Sequence, residues 1–302
     1  MDKIDAMRVF TRVYERRSFS HAADDLHLPR SSVTDAVKQI EKGLGIRLLE
    51  RTTRQVTPTV DGEVYYRRCL SLLADLDDME SLFTGSQPQG NLRVDVHGTL
   101  GRHFILPTLP DFLARYPEIQ LYLSEGDRLV DMVSEGIDCV VRVGQPQVEH
   151  LIAQPLTLLE EVTVAAPSYL ARYGTLTQPD ELDRHDTPHR IIAFQGSHQG
   201  GALPLEFMVE QRVQHYMVPP ALSVNSAETL VAAARQGLGM IQVPRYHIEA
   251  DLQAGRLVPL YEAFPPPPSP VYVLYPRYRQ HVSRVRVFID WLKAVFAQEA
   301  NR

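Results

Sequence analysis

The chain has 302 residues and a formal net charge of −6 at neutral pH, with 44% hydrophobic and 23% charged residues. This length predicts two or three domains, and the composition excludes a collagen-like, low-complexity or wholly disordered chain. The charge is uneven, because residues 1–70 carry 13 basic and 10 acidic side chains and the remainder carries 18 and 27. The N-terminal part is thus basic and the remainder acidic, so the negative net charge does not exclude a nucleic-acid-binding domain at the N-terminus.

The N-terminus and the cysteines narrow the class further. The first residues carry a charge every few positions, and no uncharged apolar stretch reaches the length of a membrane-spanning helix. Cys69 and Cys139 are too few for a disulfide framework, and no four-ligand zinc site is expected near them. We expect a cytoplasmic protein with no metal, no cofactor and no membrane partner.

Three helices are predicted at the start of the chain. Apolar residues from Ile4 to Tyr14 mark the first, Ser20 is a candidate N-cap for a short helix over Ala22–Leu26, and a third helix spans about Arg30 to Leu44. The predicted buried face of the third helix consists of Val33, Val37, Ile40 and Leu44. Two helices joined by a tight turn, the second with a polar N-terminal half, predict a helix-turn-helix whose second helix enters the major groove.

A hairpin wing is predicted next. Two short β-prone runs flank a polar tip formed by Arg51, Thr52, Thr53 and Arg54. Two arginines and two hydroxyls suit phosphate contacts, or the insertion of arginine into a narrow minor groove.

Residues 59–86 predict one long helix, which ends at a Gly-, Ser- and Pro-containing segment over 85–90. Apolar residues recur at alternating spacings of four and three: Tyr65, Cys69, Leu72, Leu76, Met79 and Phe83. This 3.5-residue period is typical of a coiled coil. An exposed seam of this length needs a partner, either the same helix of a second copy or the chain's own core.

Short β-type runs alternate with helical stretches after residue 90, which predicts a parallel, doubly wound α/β architecture in two subdomains. The predicted strands are Leu92–Val96, Ile119–Ser124, Cys139–Val143, Val162–Ala166, Ile191–Phe194, Leu222–Val224, Met240–Val243 and Val271–Tyr275. The predicted helices are Leu106–Tyr116, Leu129–Glu135, Ala227–Gln236, Arg245–Ala254 and Val282–Ala297. Pro265–Pro268 with Ser269-Pro270 can be neither a helix nor a central strand, so we predict a crossover between subdomains there.

The run from Phe10 to Glu63 closely resembles the LysR-type transcriptional regulators. Its signature residues are Phe10, Ser18-Phe19, Ala22-Ala23, Leu26, Ile40-Glu41, Leu44-Gly45, Leu48-Leu49, Arg51 to Arg54, Thr59 and Gly62. Pro29 departs from the family, whose recognition helix commonly opens with a polar residue. The residues that match the family's DNA-facing positions are Arg30, Ser31, Ser32, Thr34 and Lys38.

The resemblance implies a multidomain fold with three parts. An all-α winged helix-turn-helix domain would occupy residues 1–58, a linker helix for dimerisation with its hinge would occupy 59–90, and an α/β effector-binding domain would occupy 91–302. That last domain would have two doubly wound subdomains, one over 91–162 and 269–302 and the other over 163–268. The implied partners are double-stranded promoter DNA, a small-molecule effector and a second copy, with a dimer of dimers expected and RNA polymerase as a further candidate. The implied location is the cytoplasm, at the nucleoid.

A ligand cleft is expected between the subdomains. In open parallel sheets, ligands bind beyond the carboxyl ends of the strands, where the loop His97–Arg102 offers backbone amides and the Thr99 hydroxyl to an anion. By position in the family, the candidate lining residues are Thr99, Gly101, Arg102, Asp127, Arg142, Gln195, His198, Asn225 and Ser226. We therefore expect a small organic effector, with a carboxylate as the favoured chemistry.

Two other classes of function compete with this interpretation. An α/β enzyme is disfavoured because there is no P-loop, and Gly237-Leu238-Gly239 is only part of a dinucleotide fingerprint. Gly196 to Gly200 places its serine one position away from nucleophile-elbow spacing. A redox-sensing regulator that uses Cys69 and Cys139 is the other alternative, although the two thiols fall in different predicted regions.

Overall fold

The computed structural model describes residues 1–51, 56–84, 87–126, 131–146, 151–183, 187–195 and 203–299. Its first three helices are α1 (Lys3–Arg16), α2 (Phe19–Leu26) and α3 (Arg30–Leu44). Helix α2 begins earlier than predicted, because the Ser18 hydroxyl accepts the His21 N–H at 3.3 Å and Ser18, not Ser20, is the N-cap. Helix α3 buries Val33, Ala36, Val37 and Ile40, whereas Leu44 is 47% exposed, contrary to prediction.

A β-hairpin and then one long helix follow α3, as the sequence predicts. Strands β1 (Leu49–Arg51) and β2 (Val56–Pro58) pair antiparallel, and α4 spans Val60–Thr84. Thr59 joins them, because its hydroxyl donates to the Arg47 carbonyl at 2.8 Å and accepts the Gly62 N–H at 2.9 Å. A Cβ atom at Gly62 would lie 1.9 Å from the Leu48 carbonyl oxygen. Only glycine therefore lets α4 approach the wing this closely.

The first large sheet has the strand order β4-β3-β5-β14-β6. Its strands are β3 (Gly90–Val96), β4 (Ile119–Glu125), β5 (Cys139–Val143), β6 (Leu151–Leu159) and β14 (Ser269–Pro276). Strand β3 runs parallel to β4 and β5, whereas β14 is antiparallel to β5 and β6. The sheet is thus mixed, and the prediction of an all-parallel sheet is correct only for β4-β3-β5.

The prediction for the proline-rich segment is partly wrong. Strand β14 begins at Ser269 and lies between β5 and β6, so Ser269-Pro270 belongs to an interior strand. Pro270 is tolerated because it stands at the strand's start, where its carbonyl still accepts the Gly144 N–H at 2.8 Å. Pro265–Pro268 precedes the strand and belongs to neither a helix nor a strand, as predicted.

The remaining strands form smaller sheets. They are β7 (Glu161–Ala165), β8 (Ile191–Phe194), β9 (Leu205–Val209), β10 (Arg212–Tyr216), β11 (Pro220–Val224), β12 (Ile241–Pro244) and β13 (Val258–Leu260). Strand β8 pairs parallel with β11, β7 lies between antiparallel β12 and β13, and β9 and β10 form a hairpin. The sequence does not predict this hairpin, because Glu210 and Gln211 form its turn at positive φ without an Asn-Gly or Asp-Gly signal.

Helices cover the sheets. They are α5 (Gly98–Leu100), α6 (Leu109–Arg115), α7 (Met132–Glu135), α8 (Pro167–Tyr173), α9 (Ala227–Arg235), α10 (Glu249–Gln253) and α11 (Ser283–Glu299). A π-helical turn, Gly101–Ile105, lies between α5 and α6. One core packs α11 against β3, β5 and β14, and a second core lies around β7, β8 and α9. Among the helices of the described residues, none is long and apolar enough to cross a membrane.

Candidate nucleic-acid interface and ligand cleft

The polar face of α3 is exposed as the sequence predicts. Arg30, Ser31 and Lys38 are exposed, and Ser32 and Thr34 are half-buried beside them. Within the described part of the chain, neither Arg30 nor Lys38 forms an ion pair or a hydrogen bond. Pro29 precedes the helix and provides no side-chain cap. Two unpaired cations and small hydroxyls on an exposed helix face suit base edges and phosphates.

Two contacts between elements, which spacing in the sequence does not reveal, hold α3 and its neighbours in place. The Glu41 carboxylate accepts the Leu48 and Leu49 N–H groups at 2.9 and 3.1 Å, so the end of α3 holds the start of the wing. Arg16 donates twice to Asp25, at 2.6 and 2.7 Å, and joins α1 to α2. This hydrogen-bonded guanidinium lowers the pKa of the Asp25 carboxyl. The wing tip, Thr52 to Arg54, and the side chain of Arg51 lie outside the described residues.

The predicted seam of α4 divides into two parts. The Tyr65 ring lies edge-on against Phe10 at 5.1 Å, and Cys69 is 1% exposed in the same core. These two residues pack onto their own chain, which is the alternative from the sequence, because α1 covers the first turns of α4. Leu72 and Met79 are 55% and 52% exposed, Leu76 is half-buried, and the side chain of Phe83 is outside the described part.

Thr99 lies at the centre of a polar cluster, the Thr99 cluster, formed by His97, Thr99, Tyr246 and His247. Its hydroxyl is 2.8 Å from His97 Nδ1, 2.8 Å from the Tyr246 hydroxyl and 3.0 Å from His247 Nε2. Burial, with the nearby His97 and His103, lowers the pKa of His247 to about 3. His247 is therefore neutral near pH 7 and contributes hydrogen bonds, and no charge, to the cluster.

Arg102 links the first sheet to α9. Its guanidinium lies 3.1 Å from the Glu125 carboxylate, at the end of β4, and also pairs with Glu228 in the first turn of α9. A Cβ atom at Gly98 would stand 2.9 Å from Arg102 Nη2, so glycine leaves room for this arrangement. The candidate lining residues Asn225 and Ser226 immediately precede α9, the helix that carries Glu228, and are exposed and half-buried respectively. Gly101, buried, opens the π-helical turn that carries Arg102.

Other predicted cleft residues have different roles or lie elsewhere. Arg142 pairs with the buried Asp95, which also accepts the Ser124 hydroxyl at 2.5 Å, so its guanidinium stabilises one face of the first sheet. The Gln195 N–H donates to the Val224 carbonyl at 2.7 Å, and its side chain is exposed. Asp127 and His198 lie outside the described residues.

Both cysteines are buried. Burial raises the pKa of Cys69 to about 11 and that of Cys139 well above its usual value. Reactive thiols are deprotonated near neutral pH, so these environments disfavour the redox alternative. No cluster of three or more metal-ligating side chains occurs in the part of the chain that the structure describes.

Comparisons with known proteins agree with this organisation. Residues 4–63 match the family model described as the bacterial regulatory helix-turn-helix protein, lysR family, and residues 85–297 match the LysR substrate binding domain. The chain is 38% identical to an uncharacterised HTH-type transcriptional regulator, YhjC, of Escherichia coli, over 99% of both chains. It is 35% identical to the HTH-type transcriptional repressor PA14_22550 of Pseudomonas aeruginosa, over 99% of this chain and 93% of that protein.

A solved structure shows the same fold. The chain aligns with CrgA, a LysR-type transcriptional regulator from Neisseria meningitidis, at 29% identity and a TM-score of 0.59, over 97% of this chain and 98% of CrgA.

A winged helix-turn-helix joined by a long helix to a substrate-binding α/β domain is the organisation of a DNA-binding transcriptional regulator, and its relatives are regulators and not enzymes. The chain belongs to the LysR family.

Proposed function

We propose that two copies of the chain bind a pseudo-palindromic promoter site through α3 and the wing, and that a small molecule in the cleft beside Arg102 changes this binding. The observation that carries the proposal is the exposed face of α3, on which Arg30 and Lys38 have no partner among the described residues. Cytoplasmic location at the nucleoid follows from this role, and RNA polymerase remains a candidate partner.

Dimerisation is supported by the outer face of α4. Its exposed apolar side chains are Val60, Val64, Leu72 and Met79. An apolar surface of this kind on a long helix is typical of an interface. The head carries few surplus positive charges, so pairing two heads supplies the affinity that one lacks. We propose a homodimer, and a dimer of dimers for longer promoter sites.

The effector proposal rests on Arg102. A carboxylate that enters the cleft would compete with Glu125 and Glu228 for the Arg102 guanidinium. Both ion pairs are partly exposed, so a competing anion displaces them at small cost. Asn225 and Ser226, which precede α9, and the Thr99 cluster would complete the proposed site.

In vitro selection of random-sequence duplexes by the full-length chain tests the DNA-binding role. We expect two inverted half-sites whose centres lie about 10 base pairs, or a multiple of this, apart. The variant Arg30→Ala, Lys38→Ala should select nothing above background, whereas Arg286→Ala, which removes an exposed cation from α11, should select the same site. Selection of unrelated sequences by the wild-type chain, or of the same site by the double variant, would contradict the proposal.

A further inference from the structure

A buried cluster of charges joins the linker helix to the first sheet's domain. We define it as the Asp75 cluster, formed by Asp75 of α4, Asp138 before β5, Arg279, and Arg284 of α11. Arg279 donates to the Asp75 carboxylate and to the Ser71 hydroxyl, both on α4. Its Nε lies 3.3 Å from Asp138 Oδ1. Arg284 Nη2 lies 3.1 Å from Asp75 Oδ1 and 3.8 Å from Asp138 Oδ1.

The charges of this cluster balance only while α4 is in place. The side chains of Arg279, Arg284 and Asp138 are 4%, 1% and 4% exposed, so water cannot compensate for a missing partner. Asp75 is the more exposed member, at 29%. Without it, two buried guanidinium groups would share the single carboxylate of Asp138. Removing one partner from a buried charge group is strongly unfavourable, so Asp75 holds α4 against this domain.

The same cluster also fixes the chain on both sides of the segment that follows α4. Arg284 donates to the Asn91 carbonyl of β3 at 3.0 Å and to the Ala74 carbonyl of α4 at 3.4 Å. The Asp138 carboxylate accepts the Arg93 N–H of β3 at 2.9 Å. Arg284 therefore holds both the helix and the first strand of the sheet, and Asp138, beside Arg284, holds the strand.

The N-terminal half of α4 is attached to the DNA-binding head. The Tyr66 ring stacks on Tyr14 at 3.9 Å and 7°, its hydroxyl donates to Glu15 at 3.0 Å, and Cys69 is buried in the head's core. Ser71 and Asp75 follow within two turns. The attachments to the head and to the effector-binding domain thus lie on consecutive turns of one helix, with no free turn between them that could act as a joint.

We propose that Asp75 is a positioning residue, which sets the rotation of α4 on the effector-binding domain and so makes the head move with that domain. Hydrogen bonds to buried guanidinium groups fix an orientation as well as a distance. A shift of Arg279 or Arg284 moves Asp75, and α4 then carries the rotation to α3. The proposal concerns coupling between domains and rests on the proposed function only where DNA is the readout.

Distance measurements between spin labels test the coupling without DNA or effector. Labels at Asp24→Cys of α2 and Lys293→Cys of α11, both exposed, report the geometry of the full-length chain. Dilution with unlabelled chain removes distances between copies. We expect one narrow distribution for the labelled wild type and for Asp61→Asn, a charge-matched control on the exposed side of α4. Asp75→Asn should broaden it about twofold or add a second population, because the helix then samples several rotations.

Two further variants keep the test decisive. Asp75→Glu keeps the charge and should restore most of the narrow distribution, which a merely space-filling role would not predict. If Asp75→Asn does not fold, Ser71→Ala, which removes only one hydrogen bond to Arg279, should give a smaller broadening. An unchanged distribution in the folded Asp75→Asn protein, or in Ser71→Ala where that variant is used, would overturn the proposal, as would a broad distribution in the wild type.

Half-site spacing supplies the second readout. With duplexes carrying the selected half-sites at the preferred spacing and at one base pair more or less, the wild type should prefer one spacing by about tenfold or more, because its heads are held in fixed geometry. Asp75→Asn should reduce this preference to about twofold or less while it still binds each half-site. Retention of the wild-type preference would contradict the coupling role, whereas loss of binding to every duplex by the wild type would contradict the proposed function.

Discussion

The cations on the exposed face of α3 and two arginines of the α/β body differ in their partners. On α3, Arg30 and Lys38 are exposed and have no partner among the described residues. In the body, Arg102 pairs with Glu125 and Glu228, and Arg142 pairs with Asp95. An anion that binds to α3 therefore breaks no internal contact, whereas one that binds to Arg102 or Arg142 has to replace a carboxylate. We call the exposed face of α3 the preformed surface, because its cations need no rearrangement before they bind an anion. The side chains around Arg102 and Arg142, in contrast, already pair with one another.

The preformed surface depends most strongly on a backbone contact. Gly62→Ala would place a Cβ atom 1.9 Å from the Leu48 carbonyl, so α4 and the wing have to separate. We expect a loss of about 3 kcal/mol or more in the free energy of unfolding, measured by urea denaturation. Gly43→Ala is the matched control in α3, since nothing lies within 4 Å of its Cβ position. It should stabilise the chain by up to about 1 kcal/mol. Equal stability of the two variants would contradict this packing.

Removing a buried ion pair from the α/β body should lower the free energy of unfolding and leave the affinity for DNA unchanged. Asp251 is 1% exposed and accepts hydrogen bonds from Arg235 and Arg256 at 2.6–2.9 Å. Asp251→Asn should lower the free energy of unfolding by about 2 kcal/mol, because charged hydrogen bonds are lost. The affinity of the folded protein for its duplex should not change. Glu249→Gln, on the same helix, removes a carboxylate that is itself 45% exposed and should cost less than about 1 kcal/mol.

The pH dependence of that effect follows from the pKa of Asp251. Burial alone would raise this pKa, but the hydrogen bonds from Arg235 and Arg256 lower it below its usual value. A lowered pKa in the folded state stabilises the protein above the pKa of the unfolded state, about 4, and this stability is lost as the pH falls through the folded value. The difference between wild type and Asp251→Asn in urea should therefore shrink below about pH 4. A difference that stays constant in acid would rule out this origin.

Removing a cation from the exposed face of α3 should have the opposite result: weaker DNA binding and an unchanged free energy of unfolding. Arg30→Ala should weaken binding to the selected duplex by about 1–3 kcal/mol and leave the free energy of unfolding unchanged. Fluorescence anisotropy at fixed salt measures the first quantity and urea denaturation the second. Arg286→Ala serves as the control for loss of one exposed positive charge. A loss of stability in Arg30→Ala would mean that the side chain is part of the fold and not of a free surface.

The smallest effect is expected in the cleft. Glu228→Gln removes a 60% exposed partner of Arg102, so the free energy of unfolding should change by less than about 1 kcal/mol. If a carboxylate competes for Arg102, the dissociation constants for succinate and benzoate should fall by up to about fivefold, as calorimetric titration would show. Glu118→Gln, an exposed carboxylate outside the cleft, is the control. Weaker binding to Glu228→Gln would mean that the Glu228 side chain itself helps to hold the ligand. It would contradict competition between a ligand carboxylate and Glu228 for Arg102.

Local patterns in the sequence predicted the parts of the molecule that local forces determine. The bounds of α3, β5 and β8 agree with the predictions, because helical periodicity and short apolar runs are read within a few residues. Strand β6 was missed because Pro155 interrupts it, which is tolerated at the edge of the sheet. The predicted start of β14 is too late for a similar reason, since Pro270 in a sequence indicates a break and not the start of a strand.

Contacts between distant residues could not be read from spacing. The sequence placed Thr99 and Arg102 near a ligand, but their partners Tyr246, His247 and Glu228 come from more than 120 positions away. The same limit applies to α4. A 3.5-residue period identified the apolar residues, yet only the position of α1 determines that Tyr65 and Cys69 face the head while Leu72 and Met79 stay exposed.

The direct test of the preformed head is the base preference of Arg30→Ala. In vitro selection with this variant should return the wild-type site with relaxed preference at one position in each half-site, at symmetry-related places, because one side chain per head reads one base pair. A site of identical preference at every position would contradict the assignment of Arg30, and with it the account of the exposed α3 face as the surface that reads DNA.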